Sequence, residues 1–322
     1  MNFLKNREIR VAILSAGAGP AISIIKELRR QQILPIKIYA YASDISSAGL
    51  YLADYQRIIP KILDKTYLES IIKIINEDSI DFVIPILDSE VKIFSYNIGL
   101  ILKTCKSKFL INNYKTVNLA LDKYNSYIFN INNSILTPSH YTYDEIKKLN
   151  PNYKILMKPR TGVGSRGQLI FNSSDEITDE FSKNSNIFCE FIDGVEYSID
   201  AIKISNNDFI VVPRIRSEIR NGQMVKGVTV DETPLILLSK YILEKYQIDD
   251  VACLQVIKRN DQYYFIELNP RYGTGISLSI NSGPNFPIIQ ILQSMGILIP
   301  EYMKKYKVGL KVSRYWEEVY YE

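Results

Sequence analysis

Histidine is nearly absent: the 322-residue chain has one, His140, which excludes a multi-histidine metal site and leaves little room for a His-centred triad. Tyr141 follows it, so the H-R-D segment of protein kinases is missing too. Cysteine is scarce: Cys105, Cys189 and Cys253 lie far apart without paired spacing, which supports neither a zinc site nor a disulfide framework and fits a reducing, cytoplasmic setting. Long apolar runs are lacking, and FVIPIL at 82–87 falls far short of the ~20 residues that cross a bilayer. The stretch 11–25 behind Lys5, Arg7 and Arg10 imitates a secretory leader only until Gly17, Gly19 and Pro20 break it. A charge block of one sign is missing as well. Thirty-nine Lys plus Arg against 35 Asp plus Glu give +4 without clustering, so no nucleic-acid footprint and no membrane partner is expected. Carboxylates, lysines and arginines must carry any chemistry.

What is present reads as an ordinary folded protein of about two domains, 46% hydrophobic and 23% charged. From residue 9 to about 112, β-rich runs (VAILS, IKIYAYA, FVIPIL, KFLIN) alternate with helical patterns, which predicts an α/β parallel sheet covered by helices. Helices are expected around 114–121 and 123–132, ahead of the stop signal Thr137-Pro138. After Pro151 the pattern is mainly antiparallel α+β, with helices near 174–184 and 234–246 and a final strand near 308–320.

Two glycine segments suggest nucleotide binding. Gly17 and Gly19 lie between a strand and a helix, with Asp44 ending the next strand, but Ile22 stands where a dinucleotide fingerprint needs Gly or Ala. A nicotinamide-dependent enzyme is therefore the lesser alternative, against a close strand-to-helix turn. The second segment, Lys158-Pro-Arg-Thr-Gly162-Val-Gly164-Ser165-Arg166-Gly167, contains G-x-G-x-x-G but lacks the Lys-Ser/Thr of a P-loop. Between two strands it reads as a hairpin flap whose N–H groups, with Ser165, Arg166 and Lys158, can surround polyphosphate oxygens. Taken alone, it reads as a glycine-rich hairpin beside a surface lysine.

The segment QVIKRNDQYYFIELNPR (255–271) is the most informative. Glu267 and Asn269 are two apart on a strand and share a face. A three-residue turn at 260–262 sets Gln255 opposite Glu267, whereas a two-residue turn points Gln255 away. Three hard oxygen donors there suit magnesium completed by water and phosphate. Arg271 lies just past Pro270, facing either anionic groups or a surface partner. Arg214, Arg216 and Arg220 are read as an outward strand face, and Glu190 and Glu196 as strand carboxylates.

In order along the chain, these motifs resemble the ATP-grasp superfamily, in the branch of the carbamoyl-phosphate synthetase large chain and the pyrrolysine-pathway ligase. DFVIPILDSE, LALDKYNSYIFNINNSILTP, the glycine flap, EFIDGVEYSID and ELNPR carry the resemblance. It implies a Rossmann-like preATP-grasp domain over 1–112, an N-terminal ATP-grasp subdomain with the flap over 113–187, and a C-terminal subdomain with the metal site over 188–322. Lys123 and Lys158 would contact the phosphates, and residues 162–167 would cover them. Glu190 with the Phe191–Ile192 backbone would meet adenine, and Glu196 the ribose. Gln255, Glu267 and Asn269 would hold two Mg2+, or Mn2+, and Arg271 would stabilise the transferred phosphate. Asp88 and Glu90 are candidates for an amino substrate, and Arg214 and Arg216 for the oxyanion and departing phosphate. The implied activity is ATP-dependent carboxylate–amine ligation through an acyl phosphate, against the alternative of a non-catalytic ATP-binding partner. Carbamoyl-phosphate synthesis is not expected, because that enzyme couples two such halves. The Tyr-rich end RYWEEVYYE is read as an edge strand suited to a homodimer.

Overall fold

The computed structural model describes residues 7–162, 167–182, 185–205 and 208–322. Apolar runs and amphipathic helices alternate at the start, and the strands β1 (Ile9–Ile13), β2 (Ile36–Ala42), β3 (Tyr55–Ile58), β4 (Phe82–Ile84) and β5 (Lys108–Phe109) pair in parallel in the order β3-β2-β1-β4-β5. The helices between them are α1 (Gly19–Arg30), α2 (Tyr67–Glu77), α3 (Asp88–Tyr96) and α4 (Ile98–Thr104). Helix α1 buries Ala21, Ile24, Ile25 and Leu28, a 3.6-residue stripe, with Pro20 in its first turn and Arg29 and Arg30 in its last. Strand β3 is exposed along all four residues, so it has no apolar alternation for a sequence reading to find. Strand order reverses between β1 and β4, and the crevice at their carboxyl ends is where open α/β sheets receive ligands.

Helices α5 (Tyr114–Ala120) and α6 (Lys123–Asn132) stand at the two expected stretches. They lead to a four-stranded antiparallel sheet, β6-β9-β7-β8, made of β6 (His140–Tyr141), β7 (Ile155–Pro159), β8 (Leu169–Phe171) and β9 (Asn186–Glu190), with α7 (Tyr143–Leu149) against it. Over the described part of the helix expected near 174–184 stand two 3-10 turns, Ser174–Glu176 and Asp179–Ser182; residues 183 and 184 lie outside the described residues. Side chains there bond locally instead, as where Asn172 N–H donates to Glu176 at 2.9 Å. The expected division at 187/188 falls inside β9, which pairs with β7 from Pro159↔Asn186 to Ile155↔Glu190; the sheet runs on to Glu190.

The third sheet is antiparallel, in the order β14-β13-β10-β11-β12-β15. Its members are β10 (Val195–Ser205), β11 (Asp208–Arg220), β12 (Gln223–Thr229), then, after α8 (Thr233–Lys245), β13 (Val251–Arg259) and β14 (Gln262–Asn269); α9 (Ile276–Ser282), α10 (Phe286–Ser294) and β15 (Lys311–Ser313) follow. Strand period two sorts β10 into two faces. Tyr197, Ile199 and Ala201 join Leu235, Ile242 and Leu243 of α8 in one core, and Glu196, Ser198 and Asp200 turn the other way. That second face changes along its strands. At one end Ile202, Ile210, Val212 and Val251 enter a core shared with α1, α9, α10 and Val11, Ile13 and Ile38 of the parallel sheet; at the other it is charged.

The final strand is shorter than the expected 308–320. Arg314 N–H still donates to Val225 O at 2.9 Å, but β12 starts at Gln223, so the partner runs out. The tail instead crosses to the parallel-sheet region, where Glu317 pairs with Lys26 of α1 and Tyr321 stacks on Tyr51, ring centroids 4.0 Å apart. It is not the free edge strand on which a homodimer was expected. Among the described residues no helix is long and apolar enough to cross a membrane.

Candidate functional site

The oxygen donors come together by a different route from the expected one. The β13–β14 turn has two residues, Asn260 (φ 50°) and Asp261 (φ 60°), a left-handed pair typical of tight hairpins. That turn alone would aim Gln255 away from Glu267. A bulge at Ile266 restores the register, since Val256 pairs with Phe265 but Gln255 pairs with Glu267. Gln255, Glu267 and Asn269 therefore share the charged face, and Asn269 Nδ2 donates to Glu267 Oε1 at 3.2 Å. The odd spacing of Phe265 and Leu268, both in the same core, is the sequence signal that marks the bulge.

The cations arrive from the four-stranded sheet and α6. Asp122 caps α6 by accepting from the N–H groups of Tyr124 and Asn125, and it also holds Arg160 Nε at 2.9 Å. Lys123 N–H donates to Arg160 O at 3.1 Å and its Nζ to Gly162 O at 2.9 Å, which ties the helix to the start of the glycine segment. Burial lowers the Lys123 pKa; Glu267 opposes this, Lys158 adds to it, and Asp88 opposes it further. Lys123 therefore lies within the electrostatic reach of all three. Lys158 on β7 is only 3% exposed and has no hydrogen bond or ion pair among the described residues. His140 sits beside both lysines. Its pKa is pushed down to about 3 by burial first and then by Lys158, and Nδ1–H donates to Pro138 O at 2.7 Å. It is a neutral packing group near pH 7. Gly162 (φ 138°) and Gly167 (φ 71°) take conformations that favour glycine; Gly164, Ser165 and Arg166 lie outside the described residues.

Arg271 joins this cluster to the crevice of the parallel sheet. Its Nη2 donates to Asp88 Oδ2 at 2.6 Å and to Asn269 Oδ1 at 3.1 Å, and its Nη1 to Tyr272 O at 2.9 Å. Burial pulls the Arg271 pKa down, but Asp88 and Glu267 outweigh it and the net shift is upward. Asp88 Oδ1 is buried without a partner. Glu90 differs from its expected role. It accepts from Ser15 Oγ (2.7 Å), Tyr67 OH (3.1 Å) and the N–H groups of Ile86 (2.9 Å) and Leu87 (3.0 Å), so its acceptor sites are filled and it braces the crevice rather than meeting a substrate.

Other expected positions are partly engaged. Glu190 is paired with Arg259 at 2.9 Å, and Phe191 N–H is already donated to Lys154 O at 2.8 Å. That leaves Ile192 N–H as the amide without a partner among the described residues. Glu196 pairs with Arg216 across β10 and β11. Arg214 is 1% exposed, with Asp200 at 2.6 Å, and is closed off from direct contact with a reactant. The segment after Arg271 lies across it: a Cβ on Gly273 would meet Cys253 Sγ at 2.5 Å and Asp200 Oδ1 at 2.8 Å, and one on Gly275 would meet Arg214 Nη1 at 2.1 Å. Only glycine permits so close a crossing. The sequence reading missed Asp200 and Arg314; Asp200 was visible as an acidic residue in phase with Glu196 and Ser198 in EYSID.

A parallel-sheet region followed by two antiparallel sheets, which bring lysines and a carboxylate–amide trio to one cleft, is the architecture of the ATP-grasp class. Two family models match the chain: residues 182–317 match the family described as ATP-grasp in the biosynthetic pathway with Ter operon, and residues 11–100 match the PylC-like N-terminal domain. Among solved structures it is similar to a biotin carboxylase–β,γ-ATP complex from Campylobacter jejuni (16% identity, 97% of this chain, 75% of that chain, TM-score 0.75). It is also similar to N5-carboxyaminoimidazole synthetase from Staphylococcus aureus complexed with ADP (16%, 92%, 80%, TM-score 0.72) and to L-amino acid ligase from Bacillus licheniformis (15%, 94%, 78%, TM-score 0.72). These likenesses are likenesses of fold. No curated protein sequence matches the chain.

Proposed function

We propose that the chain is an ATP-dependent carboxylate–amine ligase that forms an amide or peptide-like bond through an acyl phosphate and releases ADP and phosphate. The observation that carries this reading is the mutual electrostatic reach of Lys123, Lys158, Glu267, Asp88 and Arg271, drawn from α6, β7, β14, α3 and the turn after β14, with Arg271 donating to Asp88 at 2.6 Å. Lys123 and Lys158 hold the triphosphate, the segment 162–167 covers it, and Ile192 N–H with Glu190 meets the adenine edge. Glu196, once released from Arg216, is suited to ribose hydroxyls.

Gln255, Glu267 and Asn269 would hold magnesium. They fit it as hard oxygen donors with a single formal charge, a set that leaves coordination positions to phosphate and water. No group of three or more His, Cys, Asp or Glu side chains converges among the described residues, so the trio is suited to metal that arrives with a nucleotide. When bound, the ions supply neutralisation of triphosphate charge.

In this reading the substrate carboxylate oxygen attacks the γ-phosphorus and the bond to the β-phosphate oxygen breaks, giving ADP and the acyl phosphate. Lys123, Lys158 and Arg271 offset the shifting charge. The amine then attacks the acyl carbon, losing a proton, and phosphate leaves. Asp88 Oδ1, buried and unpartnered, suits the ammonium of an amino substrate. No protein nucleophile is needed. The test is ADP release from ATP and Mg2+ across amino acids, hydroxy acids and sugar acids, alongside calorimetric titration with ATP, ADP and NAD. ATP binding with carboxylate-dependent ADP release supports the reading. ATP binding without any such release favours a nucleotide-binding partner, and NAD binding instead of ATP overturns it.

A further inference from the structure

Three arginines share the charged face of the six-stranded sheet at the end away from Glu267, and their compensation is unequal. Arg214 has Asp200 and Arg216 has Glu196 as ion-pair partners; Arg314 has no carboxylate within ion-pair distance among the described residues. Its backbone directly follows the edge strand β15, which is five strand spacings from β14, or about 24 Å. Its side chain nevertheless reaches back to donate from Nη2 to Thr274 O, three residues beyond Arg271. It can do so because the 271–276 segment runs across the sheet, Gly273 over Asp200 and Cys253 and Gly275 over Arg214 and Met224. Behind it, Arg214 Nε and Nη2 are buried without a hydrogen bond, Nη2 lying close to Asp200 but misaligned for one. Burial and the neighbouring Arg214 both lower the Arg314 pKa, as expected where positive charge exceeds negative.

We propose that Arg314, supplied by the C-terminal strand, is the specificity residue that recognises a carboxylate of the substrate over the Gly273–Thr274–Gly275 crossing, with Arg214 as the charge behind it. Two carboxylates face three guanidinium groups, leaving one positive charge for the ligand, and the planar fork of arginine suits a carboxylate. Substrates with an acid group at this end are accepted, and those with a neutral or cationic group there are rejected, because the surplus charge would stay unpaired. This rests on the ligase reading for its meaning but is tested by binding alone.

Wild-type protein, Arg314→Gln and Arg314→Lys are titrated with sodium malonate, with and without Mg2+ and a non-hydrolysable ATP analogue. Sodium chloride at matched ionic strength is the reference and inorganic phosphate the second arm. The readouts are the thermal unfolding midpoint and the emission of Trp316, the only tryptophan and two residues from Arg314. The expected result is a saturable malonate response in the wild type that exceeds the phosphate response. Its apparent affinity falls about tenfold or more in Arg314→Gln, the scale of one lost charged partner, and partly returns in Arg314→Lys, with the analogue's own stabilising effect unchanged in all three. No malonate response beyond chloride, a phosphate response as large, or an equal response in Arg314→Gln overturns the assignment. A failure of the analogue to stabilise the wild type speaks against the ligase reading instead.

Discussion

Glu90 in the parallel-sheet region is buried and Glu267 on the six-stranded sheet is half-buried, and their surroundings are opposite. Glu90 is saturated by four donors from its own neighbourhood, whereas Glu267 receives one long contact from Asn269. The same contrast runs through the two regions. In the parallel-sheet region Asp78 is filled by Tyr41 and Arg57, while on the six-stranded sheet Arg214 Nε is buried without a hydrogen bond; Asp88 Oδ1, at the crevice of the parallel sheet, is the exception on the first side. Buried polar groups are normally satisfied, so in the ligase reading Asp88 Oδ1 is where a ligand is expected to complete the structure.

The isosteric change Glu→Gln at each position separates the two. Glu267→Gln is expected to lower carboxylate-dependent ADP release by about 100-fold or more, roughly 2.7 kcal/mol of transition-state stabilisation, with an unchanged denaturant midpoint; wild-type turnover would remove Glu267 from the metal site. Glu90→Gln is expected to do the reverse, costing about 1–3 kcal/mol in urea unfolding because amide protons replace an acceptor among donors, with nucleotide affinity retained. A variant as stable as the wild type would show that the four contacts are not holding the crevice. A smaller effect is expected for Lys158→Met, about a tenfold loss of ATP affinity, or ~1.4 kcal/mol, measured by calorimetry; equal affinity would take Lys158 out of the phosphate path. A further effect is read only in acid, in the pH dependence of stability. His140 titrates at about 3 when folded and at 6.5 ordinarily, so the unfolded chain binds the proton more readily. The stability linked to its neutral form is fully present above pH 6.5 and is lost as pH falls toward 3. His140→Gln should flatten the fall of the unfolding midpoint across that window, and an unchanged slope would mean that the imidazole is not held neutral by burial.

The elements were legible where burial imposed a period. The stripe of α1, the buried strands β1, β2 and β4, and the alternation of EYSID all follow from side chains facing a core. What escaped was set by hydrogen bonding or by distant contacts. The exposed edge strand β3 has no apolar rhythm, and the break at Asn97 that divides α3 from α4 is made by one residue ending one helix and starting the next. The metal-site register is instructive: Gln255 does face Glu267, but through a two-residue turn plus a bulge instead of a three-residue turn. Two local irregularities cancel, and only the Phe265–Leu268 spacing records the second. Arg314 was illegible for a plainer reason. Its role depends on the segment between Arg271 and Ile276 lying across the sheet, and no local pattern states where a loop will lie.

The core that α1, α9 and α10 share between the parallel and the six-stranded sheets also governs how the molecule comes apart. Strands inserted into the same set of helices melt together, whereas the four-stranded sheet has its own small cluster around Ile146, Ile155 and Phe188 and forms a separate cooperative unit. Amide exchange should therefore release β7 and β9 at lower free energy than β1 or β10. The sheet that carries Lys158 would then open and reclose while the sheet that carries Glu267 stays folded.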